Sequence, residues 1–171
     1  LAPRFEHRLF LSATPHNGQA EGTWTDPTTG LMWENPPSDL LFYWSSAYQH
    51  CNEMQKSGFA DWRMPDIDEL RSVIRGCAKT TLGGECGVST SCPVLSCWDG
   101  ASCSGCPAFN GPAPNGWYWP DSILGGSGYS WSSSFVEDNP LEAWWIAFGT
   151  GELGSDLVDY DPPPWGVWCV R

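Results

Sequence analysis

"AWWIAFGTGELGSDLVDYDPPPWGVWCVR", Ala143 to Arg171, sets short apolar runs around a break rich in Asp and Pro. In "AWWIAF" an extended chain puts Trp144, Ile146 and Phe148 on one face and Trp145 and Ala147 on the other. The following "GTGEL" has the glycines of a tight turn into a next strand, and "GVWCVR" reads as a last short strand. Upstream, "GWYWPDSI" and "YSWSSSF" have the same aromatic, period-two character between Gly, Pro and Asp turns. This half of the chain is therefore expected to form an antiparallel sheet.

The first half reads differently. "TWTDPTTGLMWE" (Thr23 to Glu34) has an apolar start, a Pro-containing turn with Gly30 and a second apolar run, which predicts a hairpin. In "FYWSSAYQHCNEMQKSGF" the residues Trp44, Ala47, Tyr48, Cys51 and Met54 share a helical stripe. Ser45 or Ser46 would cap that helix and Gly58 would end it. "MPDIDELRSVIRG" predicts a second helix, with Asp66 and Glu69 as a capping box, Leu70, Val73 and Ile74 facing inward, and Gly76 as the stop. A hairpin, two helices, long loops and then a small sheet make an α+β fold.

Of the 171 residues, 41% are apolar, enough for one well-formed core, and the 12 Trp can anchor a loop-rich fold because each buries a large apolar area. The net charge of -12 is uneven: beyond Lys79 the only basic residue is Arg171, against ten acidic residues from Glu85 to Asp161. Such a surface repels phosphate backbones and excludes nucleic acid as a partner, whereas a cation, a basic protein or a neutral glycan is tolerated. No apolar run reaches the ~20 residues of a membrane span, so membrane insertion is not expected. No signal peptide is visible after Leu1, and an export leader would have to lie upstream.

Cysteines stand at Cys51, Cys77, Cys86, Cys92, Cys97, Cys103, Cys106 and Cys169, six of them in an insert at 77–106. Zinc sites favour paired knuckles, often with histidine nearby, but no histidine follows His50 and only Cys103 and Cys106 have C-x-x-C spacing. An even count in a Gly/Ser/Pro-rich stretch predicts disulfides and an extracellular or cell-surface location. Six central cysteines allow fifteen connectivities, and the sequence chooses none of them.

Catalysis finds little support. His7, His16 and His50 all lie near the start, no Ser-His-Asp grouping can be drawn, and Ser132 to Ser134 read as strand hydroxyls. Calcium is the one cofactor left open, through Glu137, Asp138 and Asn139 in one loop and Asp156, Asp159 and Asp161 in another. Residues 1–21 stand apart: "HRLFLSATPHNG" resembles a helicase motif of Swi/Snf-type ATPases, without the phosphate loop that ATP hydrolysis requires. That stretch is expected to be a leader or fusion remnant, dispensable for the fold, with at most an edge strand through Arg8 to Ser12.

"WTDPTTGLMWE", "DWRMPDIDELRSVI", "YSWSSS" and the terminal "VWCVR", in this order, resemble the bacterial domain typified by the C-terminal domain of the Legionella collagen-like adhesin. The resemblance covers residues 22–171 and implies a C-type-lectin-like fold, related to the formylglycine-generating-enzyme type. It also implies a secreted or surface-attached module. Some members bind glycans such as glycosaminoglycans, and some are diversity-generating retroelement targets with hypervariable residues near the C-terminus. In that fold the first helix packs on the last strand, often through a disulfide, which implies a Cys51–Cys169 pair. Trp131, Trp144 or Trp145, and Trp168 then become sheet and core residues, and Gly154 to Trp165 an exposed loop. The sugar-binding calcium motif of C-type lectins is not matched, since "EDNP" has Pro140 last. The Cys103/Cys106 pair, which invites comparison with the redox centre of formylglycine-generating enzymes, lacks basic surroundings.

The expected function is recognition of a glycan or protein ligand. Its contacts would come from Glu137, Asp138, Asn139 and Glu142, from Trp145, and from Asp156, Asp159, Tyr160, Asp161 and Trp165. Exposed aromatics stack on sugar rings or fill protein pockets, and carboxylates accept hydroxyl or ammonium donors. Self-assembly into a coat or fibre is the alternative reading, and an enzyme of the formylglycine-generating type is the weakest.

Overall fold

The computed structural model describes residues 22–161 and 165–171, so the expected strand at Arg8 to Ser12 lies outside the described residues. The predicted hairpin is present: β1 (Thr23–Thr25) pairs antiparallel with β2 (Met32–Glu34), Trp24 opposite Trp33. Its turn is closed by Asp26, whose carboxylate accepts from the Thr28 N–H and the Thr29 hydroxyl.

α1 (Trp44–Asn52) buries Ala47 and Cys51, one turn apart, and stacks Tyr48 on Trp44 at 5.4 Å. It starts before the expected serine cap, because the Trp44 N–H is satisfied by the Val158 carbonyl at 3.1 Å. A partner from a distant loop replaces the side-chain cap. α2 (Ile67–Ser72) has its capping box: the Asp66 carboxylate accepts from the Glu69 N–H at 2.8 Å, and the Glu69 carboxylate accepts from the Asp66 N–H at 2.9 Å.

The second sheet has the order β3–β4–β5, all antiparallel: β3 (Tyr129–Val136), β4 (Asn139–Ala147) and β5 (Glu152–Leu157). β4 divides the core as its alternation predicts. Trp144 and Ile146 join one cluster with Trp33, Leu70, Trp119, Phe148 and Trp168, whereas Ala143, Trp145 and Ala147 join Cys51, Trp62, Met64, Trp131 and Cys169 in the other. "GWYWPDSI" is not a strand. Tyr118 bonds on both sides, its N–H donating to Phe148 and its carbonyl accepting from Arg75, while its neighbours close local turns and Pro120 removes a donor. The terminal segment makes isolated bridges rather than a strand of its own. It still has bonds on both sides, from Met32 and Glu34 of β2 and from Arg63.

All eight cysteines are paired. Cys51–Cys169 joins α1 to the terminal segment across 118 positions, and the insert is nested: Cys77–Cys106 encloses Cys86–Cys103, which encloses Cys92–Cys97. The insert's second organiser is Arg71 of α2, 2% exposed. Its guanidinium donates to the carbonyls of Thr80, Thr81, Cys86 and Val88. Burial pulls the Arg71 pKa below the ordinary guanidinium value, with the Asp68 charge opposing that shift. Two helices, two small antiparallel sheets and disulfide-laced loops give the α+β fold that the sequence predicts, consistent with the C-type-lectin-like architecture that the resemblance implies.

Three stability outcomes follow. Removing the Cys51–Cys169 bridge as a double alanine variant lowers stability by roughly 5 kcal/mol in the loop-entropy picture, read by denaturant unfolding with the other bridges intact. Trp168→Ala costs about 3–5 kcal/mol, as for other buried aromatics. Arg71→Lys strands carbonyls that one ammonium cannot reach together and costs about 3 kcal/mol. A lysine variant as stable as the parent would show that the insert does not depend on the guanidinium.

Candidate ligand-binding surface

The register of the three-stranded sheet aligns Trp131, Trp145 and Gly154 across β3, β4 and β5. A Cβ at Gly154 would fall 2.5 Å from the Trp145 ring, so the indole lies directly over the β5 backbone. Only glycine permits that approach. Trp165 stacks on Trp145 with ring centroids 4.2 Å apart and planes 21° apart, and it also meets Tyr129 at 4.9 Å and Trp131 edge-on at 6.4 Å. The result is a layered aromatic floor with Tyr129, 40% exposed, at its border.

Val158 and Trp165, on either side of the loop after β5, are both tied to the start of α1 and the residues before it. The Trp44 N–H donates to Val158 and the Phe42 N–H to Trp165 at 2.8 Å. Between these ties the Tyr43 hydroxyl donates to the Asp161 carboxylate at 2.8 Å, a bond that raises the Tyr43 pKa. The same stretch is fastened to β3, through the Trp131 indole N–H on the Phe42 carbonyl and the Trp44 indole N–H on the Ser132 carbonyl. Asp159, Tyr160 and Asp161 are exposed, and Asp156 is half-buried on β5.

The structure sets the loop after β5 and the β3–β4 turn at one end of this sheet, while Glu142 falls on the Trp144 side of β4 and Trp145 on the other. Val158 donates to Leu141, which sets the loop after β5 beside the start of β4, next to the β3–β4 turn. Two of the hairpin acids, Asp138 and Glu142, have their carboxylates engaged within the chain. Asp138 accepts from the Leu95 N–H, and the Glu137 N–H donates to Pro93, which ties the turn to the insert. Glu142 accepts from the Asn139 amide at 2.8 Å and from the Ser155 hydroxyl at 2.6 Å.

Two expected contact residues differ in exposure. Trp145 is 9% exposed and Trp165 half-buried, because each covers the other. They support the surface from beneath, and Tyr160, at 45% exposure, is the outward aromatic of the loop. Pro162 to Pro164 lie outside the described residues. Sequence reasoning missed Phe42 to Trp44, read there as the helix start. The run of three aromatics ahead of a serine pair was the available signal.

Among the described residues, the group whose potential metal-ligand atoms converge is Glu34, His50 and Cys169, within 4.8 Å, and not the loop acids. The Cys169 sulfur is bonded to Cys51, and the Lys56 ammonium sits 3.0 Å from the Glu34 carboxylate, so this cluster is a bridge beside an ion pair. Cys103 and Cys106 are bonded to different partners, which leaves no dithiol of C-x-x-C form. Four disulfides fit an oxidising compartment. No helix among the described residues is long and apolar enough to cross a membrane.

No curated protein and no solved structure matches the chain. A family model does: that of the Lcl C-terminal domain, over residues 22–171. With that match across nearly the whole chain, on a fold of the expected kind, the protein belongs to the Lcl C-terminal domain family.

Proposed function

We propose that this chain is a secreted or cell-surface recognition module that binds a glycan or protein ligand without transforming it. The contacts are Tyr160, Asp159, Asp161 and Asp156 over the Trp145–Trp165 floor, with the hairpin at Glu137 to Glu142 as the flank. One observation carries the reading: a loop fixed at both ends by backbone bonds to Phe42 and Trp44 exposes Asp159, Tyr160 and Asp161. Binding side chains on loops held by a rigid scaffold are the usual arrangement for recognition, and the pinned ends reduce the ordering cost of association.

Charge narrows the ligand. Sulfated glycans, which the family resemblance brings to mind, would meet a net charge of -12 and no cation in the loop. A neutral glycan or a basic protein surface fits better, with hydroxyls or ammonium groups donating to the carboxylates.

A glycan and protein array, probed with and without calcium, is expected to return neutral or cationic ligands. Against such a ligand Tyr160→Ala weakens binding by about 2 kcal/mol while its melting temperature stays close to the parent's. Trp165→Ala is a poorer test, since loss of its stack on Trp145 also lowers stability. Array ligands bound equally well by Tyr160→Ala would remove the loop from the interface, and selective capture of polyanions would contradict the charge argument.

A further inference from the structure

A cleft of about 230 Å3 opens on the other side of the molecule's β4 layer, between the turn at Pro114–Gly116 and the segment Asp121 to Gly125. Its inner wall is Trp117, Trp119 and Ile123, the last two 2% and 4% exposed, members of the cluster that packs on the Trp144 and Ile146 side of β4. It is therefore separate from the Trp145–Trp165 floor, which belongs to the opposite face.

The cleft is built rather than incidental. Trp117 stacks on Trp119 with centroids 4.7 Å and planes 17° apart, and Phe109 meets Trp117 edge-on at 5.4 Å. The ring of Trp117 fits because residue 128 is glycine: a Cβ there would fall 2.0 Å from it. The facing wall is held by the Asn35 side chain, whose amide donates to the Ser122 carbonyl and whose oxygen accepts from the Leu124 N–H at 3.0 Å. The turn below it is closed by the Gly111 N–H on Gly116, with Asn115 in the left-handed region at φ 63°. Polar clamps hold both walls, with Trp117 the partly exposed tryptophan between them and Trp119 buried behind it.

The rim selects the chemistry. Leu124 is 78% exposed, and an apolar body entering the cleft would cover it. Asp121 is exposed, and no hydrogen bond or ion pair among the described residues engages it. Among the described residues, no Lys, Arg or His lines the cleft. Aromatic walls, an apolar lip and one unneutralised carboxylate favour a cation with an apolar coat over an anion. The volume lies below the ~300 Å3 at which drug-sized sites begin, so the group is small. From this complementarity we infer that the cleft is a binding site for a small quaternary ammonium group, seated against the tryptophan wall with Asp121 as its counter-charge.

The test uses the full chain and choline, followed by the indole signals in 1H–15N spectra and by calorimetry. Choline is expected to bind saturably, moving the Trp117 and Trp119 indole signals and leaving that of Trp165 in place. Its neutral isostere 3,3-dimethylbutan-1-ol should bind several-fold more weakly, and Asp121→Asn should weaken choline by about fivefold. A short peptide with trimethyllysine that binds more tightly than choline would identify a modified protein as the source of the group, and a weaker one a free small molecule. Either result keeps the ammonium site. Equal binding of the neutral isostere, no effect of Asp121→Asn, no saturation by choline, or methyl glucoside moving the same indole signals would each overturn it. Tyr160→Ala leaves choline binding unchanged, so failure here and failure of the loop as a recognition surface are told apart.

Discussion

The fold hangs on one buried ring, Trp168. Its indole N–H donates to the Glu34 carbonyl at 2.6 Å, and its faces and edges meet Trp33 at 4.7 Å, Phe148 at 5.5 Å and Trp119 at 6.1 Å. One side chain thereby joins the N-terminal hairpin, the turn after β4 and the segment that walls the cleft. Its backbone N–H reaches the Ser130 hydroxyl at 3.0 Å, which adds β3. The neighbouring Cys169 closes the set by a covalent bond to α1. Two sheets of two and three strands would be marginal separately, and a shared aromatic core with a long-range bridge makes them one domain.

Arg71 plays the corresponding part for the insert, by a different kind of force. Residues 77–106 contain no long helix or strand, so their carbonyls have few regular partners. A guanidinium presents five donors in a fixed plane, and here it satisfies four carbonyls from two turns of the insert. Burying that cation costs desolvation, which its depressed pKa records, and the nested disulfides keep the carbonyls in place around it. Bridges supply chain constraint and the arginine supplies polar satisfaction, so the insert can be ordered without a core of its own.

Much of this was legible in the sequence because local signals and global fold agree there. The hairpin, the Asp66–Glu69 box and the alternation of "AWWIAF" each name their structure through turn chemistry or period. The Cys51–Cys169 pair was legible only by resemblance, since spacing alone favours no partner for either residue. What stayed hidden depends on contacts between distant residues. The connectivity of the insert, the hub at Arg71 and the tie between Phe42–Trp44 and the loop after β5 have no local signature. The burial of Trp165 was hidden for the same reason, and for Trp145 the sequence left a core role and a contact role both open. Alternation puts Trp145 on a face, but the glycine opposite and the second indole above it decide how much of it water can reach.

That last point also bears on how the loop and the acidic surface work together. An exposed acidic loop with free ends would be a solvated tail, held off any partner by its own repulsion and by the entropy of ordering. Here the carboxylates ride on a loop whose ends are fixed and whose floor is a stacked indole pair, so the repulsion among them is carried by the fold. The basic residue nearest in sequence, Arg171, is occupied by Asp61 at 2.7 Å and by the Phe59 ring, and it leaves the negative field of the loop unquenched. A field of that sign speeds encounter with cationic partners and slows it with polyanions, and salt weakens both effects. Asp121 at the cleft lies in the same acidic half of the chain, so the same charge argument, disfavouring anions, applies to both proposed surfaces. The fold fixes where the aromatics are, and on the proposed reading the charge distribution sets which ligands reach them.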